Sequence, residues 1–152
     1  PQIGSESMNV TIRKMQAADK PVIMEMMRVF YASPAVLSNG SEEIFAADID
    51  ECVRDNPYLE GFVFCACGEL LGYGMAAKSF STEFGKRCIW IEDLYVRPEY
   101  RGQGIGSAFL EYMTRRYPGA ILRLEVEEEN EKAIAVYRKR GFEVLPYMEM
   151  KK

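Results

Sequence analysis

Gly102, Gly104 and Gly106 sit inside the segment Trp90 to Ser107, WIEDLYVRPEYRGQGIGS, and no other residues of this chain are so well spaced to hold a ligand. Three glycines this close let the backbone approach a bulky anion with no Cβ in the way. If a helix begins among them, its first N–H groups and the positive end of its dipole face the same anion. A diphosphate answers that description, so the spacing points to a phosphorylated cofactor. The chain has no histidine, which excludes His-dependent triads and imidazole metal ligands. Proton transfer then falls to Glu, Asp, Tyr, Lys, Cys or water.

A cradle of this kind needs a strand before it and a helix behind it. Ile89 to Val96 reads as the strand, and Gly104 to Tyr117 as the helix, which stops at Pro118-Gly119. Upstream, Val10 to Lys14 alternates like a first strand. Ala18 to Tyr31 has helical spacing, with Ile23, Met26, Met27 and Phe30 on one face. Ala32 to Ser41 is rich in turn formers, and Ser41 is placed to cap a helix from Glu42 to Arg54. Phe62 to Cys67 and Leu70 to Phe80 should form a hairpin around a Gly68-Glu69 connection. Ile121 to Val126 is a further strand, Glu131 to Arg140 a helix ended by Gly141, and Phe142 to Met150 a final strand. This order, β-α-α-β-β-β-α-β-α-β, predicts an α/β (α+β) fold with a mixed, mainly antiparallel sheet covered by helices.

Composition bounds the rest. The chain is 48% hydrophobic and 28% charged, within the globular range, and one domain over 8–152 is expected. Segment 1–7, PQIGSES, is small and polar and is expected to be an expression remnant or a disordered terminus. A net charge of −4 argues against a nucleic-acid partner, and no apolar run has membrane-spanning length, so a cytoplasmic location is expected. Cys65 and Cys67 would share a strand face; with Cys52 and Cys88 they read as buried thiols rather than metal ligands, and no metal is expected.

Three phosphate sites compete for the glycines. A P-loop requires Lys after its last glycine, and here Ser107 follows Gly106. A dinucleotide fingerprint turns almost directly from strand to helix, whereas RPEY intervenes before Gly102, and the surrounding order lacks repeated β-α-β units. The third reading accounts for all the pieces. Arg101-x-x-Gly104-x-Gly106 resembles the R/Q-x-x-G-x-G/A motif of the GNAT N-acetyltransferase superfamily, and NEKAIAVYRKRGF, Asn130 to Phe142, resembles its second signature. The element order is similar too. WIEDLYV is locally similar to the matching strand of the diamine (spermidine/spermine) branch.

That resemblance implies a GNAT-like sheet of about six to seven strands flanked by four helices, with the fourth and fifth strands splayed apart. It implies acetyl-CoA as co-substrate. The diphosphate would rest on backbone N–H groups from Arg101, Gly102, Gln103, Gly104, Ile105, Gly106 and Ser107, with Arg101 adding charge or bracing the loop. The pantetheine arm would pair with the backbone at a bulge near Leu94, Tyr95 and Val96, where the N–H of Leu94 or Tyr95 could also polarise the thioester carbonyl. Asn130 would bond the arm, cap the next helix, or both, and Ala133 would let the arm pass. Tyr137 matches the family tyrosine that protonates the leaving thiolate. Glu92 is the candidate base for the amine, unless it serves only in an ion pair; Asp93 and Glu83 are weaker candidates for steering a cation. The implied activity is acetyl transfer to a primary amine, in a small molecule or in a peptide, with a non-catalytic CoA sensor as the other class. A homodimer is compatible with the resemblance.

Overall fold

The computed structural model describes residues 9–37 and 40–152, so the expectation for 1–7 lies outside the described residues. The chain order is β1 (Thr11–Lys14), α1 (Lys20–Tyr31), α2 (Glu42–Val53), β2 (Leu59–Ala66), β3 (Glu69–Ser81), β4 (Lys86–Val96), α3 (Ile105–Arg116), β5 (Ile121–Leu124) and α4 (Glu131–Lys139). Short 3₁₀ turns at Ala17–Asp19 and Pro98–Tyr100 lead into α1 and towards α3. The sheet runs β1-β2-β3-β4-β5, antiparallel throughout except for the parallel β4/β5 pair.

Local chemistry explains most boundaries. The Ser41 hydroxyl accepts from the Ile44 N–H and starts α2, as its sequence position predicts. Between β2 and β3 the turn residues are Cys67 and Gly68, both at positive φ (50° and 76°), which is the backbone of a tight two-residue hairpin. That corrects the expected Gly68-Glu69 turn and takes Cys67 out of the strand, leaving it exposed while Cys52 and Cys88 are buried.

Among the described residues the sheet has five strands rather than six or seven. Phe142 to Met150 is not a strand. Pro146 interrupts its donors, and beyond Phe142 its apolar residues are left in solvent, with Val144 and Met148 at 74% and 89% exposure. Tyr147 shares a cavity with Ser79 to Glu83 at the end of the β3–β4 hairpin, and its hydroxyl donates to Glu83.

Each face of the sheet has its own core. On one, α1 presents Ile23, Met26 and Met27, all essentially inaccessible, to Val63, Tyr73, Met75 and Tyr95, with Phe45 and Ile49 of α2 beside them. On the other, Phe109, Leu110 and Met113 of α3 pack on Phe62, Phe64, Ile89 and Ile91. Burial on this scale is the main stabilising contribution to the fold. The functional consequence is that β4 is gripped from both sides.

Candidate active site

On β4 the side-chain alternation slips by one residue. Ile89 and Ile91 face α3, and so do Leu94 and Val96. The register explains it: Ala76 pairs with Ile91 and Met75 with Asp93, so Glu92 is the extra residue of a β-bulge. The bulge therefore begins at Glu92, ahead of its expected place near Leu94 to Val96. Pairing with β5 stops at the same point, with Ile91 opposite Leu124 as the last pair. From Glu92 onward the two strands part, which is the expected splay.

Backbone direction within that gap separates three predicted residues. The Arg97 N–H donates to Leu71 O on β3. By the alternation of an antiparallel ladder, the backbone groups of Tyr95 also face β3, whereas those of Leu94 and Val96 face the gap. Tyr95 is thus not brought to the gap. Its side chain is buried against Phe30 and Tyr73 in the opposite core. The Val96 carbonyl accepts from Arg101 Nε at 2.8 Å, and the same guanidinium lies 5.5 Å from the Tyr95 ring centroid. Arg101 thus ties the loop to the end of β4, leaving the Leu94 backbone groups and the Val96 N–H open.

The glycine loop ends as its composition predicts. Gly102 and Gly104 have φ of 76° and 79°, and Gly104 is the left-handed residue before α3. The first intrahelical bond runs from Ala108 N–H to Gly104 O, so the N–H groups of Ile105, Gly106 and Ser107 lack helical partners. Ile105 contributes backbone only, since its side chain is buried in the core. Gln103 is exposed, and its side chain makes no hydrogen bond among the described residues.

A cleft of about 230 Å³ joins these pieces, lined by Leu94, Val96, Arg101, Gly106, Leu110, Ala133, Val136 and Tyr137. Asn130 caps α4, its Oδ1 accepting from Ala133 N–H at 3.3 Å, which fixes the helix that carries Ala133 and Tyr137. Tyr137 packs its ring on Phe142 at 5.8 Å between centroids. Burial pushes its phenol above the ordinary value. No protein hydrogen bond to its hydroxyl exists among the described residues, so its proton is uncommitted.

On the other side of β4 the carboxylates are unlike those elsewhere. Buried Asp19 is bonded by Arg13 at 2.8 and 2.9 Å, and buried Glu60 is ringed by Arg116, Lys14 and Lys78. Asp93, equally buried, accepts only from hydroxyls, Tyr73 at 2.8 Å and Tyr31 at 2.9 Å. Burial raises its pKa against those two bonds. Desolvation raises Glu92 as well, helped by the charges of Asp93 and Glu149. Asp48 on α2 is pushed up to about 6 by desolvation and by Asp93 and Glu92. None of the three makes a salt bridge among the described residues. The sequence singles out Glu92, with Asp93 as a weaker candidate expected on the opposite face, and the bulge brings the two together; it does not reveal Tyr31, Tyr73 and Asp48, because they reach the site from three other elements and have no local signature. Glu83 lies away from this group, at the hairpin tip.

Among the described residues, no group of three or more His, Cys, Asp or Glu could hold a metal, and no helix is long and apolar enough to cross a membrane. The geometry matches known proteins. Residues 23–142 match the family model described as the Acetyltransferase (GNAT) family. A thialysine N-epsilon-acetyltransferase of Sus scrofa is 33% identical over 146 residues, covering 88% of this chain and 84% of that protein. A peptidyl-lysine N-acetyltransferase of Escherichia coli is 29% identical, with 88% and 84% covered. In fold, an aminoglycoside N-acetyltransferase solved with CoA superposes with a TM-score of 0.74 at 16% identity, over 97% of both chains. A Trypanosoma brucei acetyltransferase gives 0.69 at 23% identity, over 95% of this chain and 99% of that one. A strand that bulges and splays at Glu92, followed by the glycine loop and α3, accords with these matches, and the chain belongs to the GNAT N-acetyltransferase family.

Proposed function

We propose that this protein moves the acetyl group of acetyl-CoA to a primary amine of a small molecule by direct attack with both substrates bound. The observation that carries this reading is the placement of an uncommitted Tyr137 hydroxyl in the cleft on one side of β4 and the cation-free carboxylates Glu92, Asp93 and Asp48 on the other. Uncompensated buried charge is costly. It is offset when an ammonium group arrives, so these carboxylates favour a cationic acceptor.

The residues then divide the work. N–H groups of Ile105, Gly106 and Ser107 hold the diphosphate, and the open backbone of Leu94 pairs with the pantetheine amides. Glu92, directly or through water, takes a proton from the acceptor ammonium and frees the nitrogen lone pair. As the N–C bond forms and the C–S bond breaks, the Leu94 N–H steadies the carbonyl oxygen, Tyr137 gives its proton to the sulfur, and the second proton shed by the nitrogen passes through water to restore the Tyr137 phenol. Holding two reactants together supplies much of the rate.

Acetylation of a lysine side chain within a peptide is the second reading, favoured by the 29% identity to the peptidyl-lysine enzyme. A thiol-release assay with acetyl-CoA and a panel of polyamines, basic amino acids, aminoglycosides and lysine peptides separates the two. Turnover confined to peptides overturns the small-molecule reading. CoA binding without turnover on any amine overturns catalysis itself.

A further inference from the structure

A second cavity, of about 270 Å³, lies between the end of the β3–β4 hairpin and the C-terminal segment, with Phe80, Glu83, Trp90, Arg123 and Tyr147 among its walls. Building on the amine-transfer reading above, we propose that this cavity receives the α-carboxylate of the acceptor at Arg123, so that the acceptor is a free amino acid with a side-chain amine of lysine's length.

Arg123 is set apart from the other well-packed arginines. Arg13 and Arg116 are neutralised by Asp19 and Glu60. Arg123 makes no salt bridge or side-chain hydrogen bond among the described residues, and is held instead over the Trp90 ring, 4.5 Å from its centroid. Stacking fixes the plane of a guanidinium while leaving its N–H edge free, and that edge matches the two oxygens of a carboxylate. On another wall the Glu83 carboxylate accepts from the Tyr147 hydroxyl at 2.5 Å and keeps lone pairs for a further donor. One cation and one anion, not paired with each other, are the complement of an amino acid's own carboxylate and α-ammonium.

The cavity also lies at the right place along β4. Trp90 pairs with Arg123, Ile91 with Leu124, and Glu92 begins the gap. Two strand residues span about 7 Å, a separation that a side chain of lysine's length bridges. The same C-terminal segment borders both ends: Tyr147 lines the cavity, and the charge of Glu149 is felt at Glu92. A polyamine has no group for Arg123, and a peptide-bound lysine has lost its carboxylate to an amide bond.

Steady-state acetylation of lysine, lysinamide and cadaverine tests the proposal, together with titration of the emission of Trp90, the only tryptophan of the chain. Lysine should exceed lysinamide in kcat/KM by about tenfold or more, the worth of a charge-assisted pair. Arg123→Gln should bring that ratio close to one, chiefly by raising KM for lysine. Lysine should also perturb Trp90 emission at concentrations where lysinamide does not. Equal use of lysine and lysinamide overturns the proposal, as does a preference that survives Arg123→Gln. If no amine is acetylated, the transfer reading fails, and the emission titration still decides whether the cavity reads a carboxylate.

Discussion

Tyr137 and Glu92 carry different halves of the proposed reaction, and single substitutions should separate them. Tyr137→Phe removes the proton for the leaving sulfur but keeps the ring against Phe142. It should lower kcat by about 10²-fold or more with little change in the KM for acetyl-CoA; an unchanged kcat removes Tyr137 from the mechanism. Glu92 must be ionised to act as a base, and its pKa is raised by desolvation and by Asp93. The acid limb of kcat/KM should therefore lie above the ordinary glutamate value of about 4.3, and Glu92→Gln should abolish the limb along with most activity. Asp93→Asn removes one of the charges that raises Glu92, so the surviving activity should show its acid limb at lower pH. A limb that stays in place contradicts the coupling. Both substituted residues are plain in the sequence, but their coupling is not, since adjacent strand residues ordinarily face opposite ways.

The element that decides the site is β4, with its bulge at Glu92 and its loss of partner beyond Ile91. The glycine loop that follows could be read directly from composition, because positive φ at Gly102 and Gly104 is a local demand. Open space surrounds a Cβ built at Gly104, so Gly104→Ala is strained by its backbone alone. The left-handed conformation costs about 1–2 kcal/mol for an L-residue. A melting curve should register that loss, and the KM for acetyl-CoA should rise severalfold; an unchanged KM would separate the loop from cofactor binding. The bulge was expected two residues later, near Leu94. Its true position follows from pairing across to Met75 and Ala76, which is information held by β3 rather than by β4. The final strand failed for a similar reason, as alternation in Phe142 to Met150 has meaning only if a partner strand and a buried face are there to receive it.

At the scale of the molecule, the carboxylates fall into two groups with opposite effects on stability. Asp48, Glu92 and Asp93 have raised pKa values in the fold. Relative to neutral pH, they add stability that is complete below the unfolded-chain value of about 4 and is lost as pH rises through the folded value, about 6 for Asp48. Asp19 is held low by its bonds from Arg13, and Glu60 is held low by Arg116, Tyr117 and Lys78 despite its desolvation. Those two add stability above the unfolded value and lose it as pH falls through their depressed folded values. Thermal stability should thus rise from pH 7.5 to about 5 and fall below about 4, and Asp48→Asn should flatten the rise. A melting temperature that only falls on acidification from neutral pH contradicts this division.

By itself the sequence determined what local chemistry dictates: the glycine loop and the helix after it, the capped helices, the absence of histidine chemistry, and the two signatures that mark the family. These need only neighbouring residues, so they can be read from neighbouring residues. Tertiary structure alone decided that Glu92 is the bulged residue, that Tyr31 and Tyr73 hold Asp93, and that, among the described residues, Asp48 joins them without a cation and Arg123 rests unpaired on Trp90. Each of those facts is a meeting of residues from different elements. Whether a carboxylate keeps its ordinary acidity, or a guanidinium its free edge, depends on which distant side chains the fold brings within a few ångströms and on how much water it leaves between them.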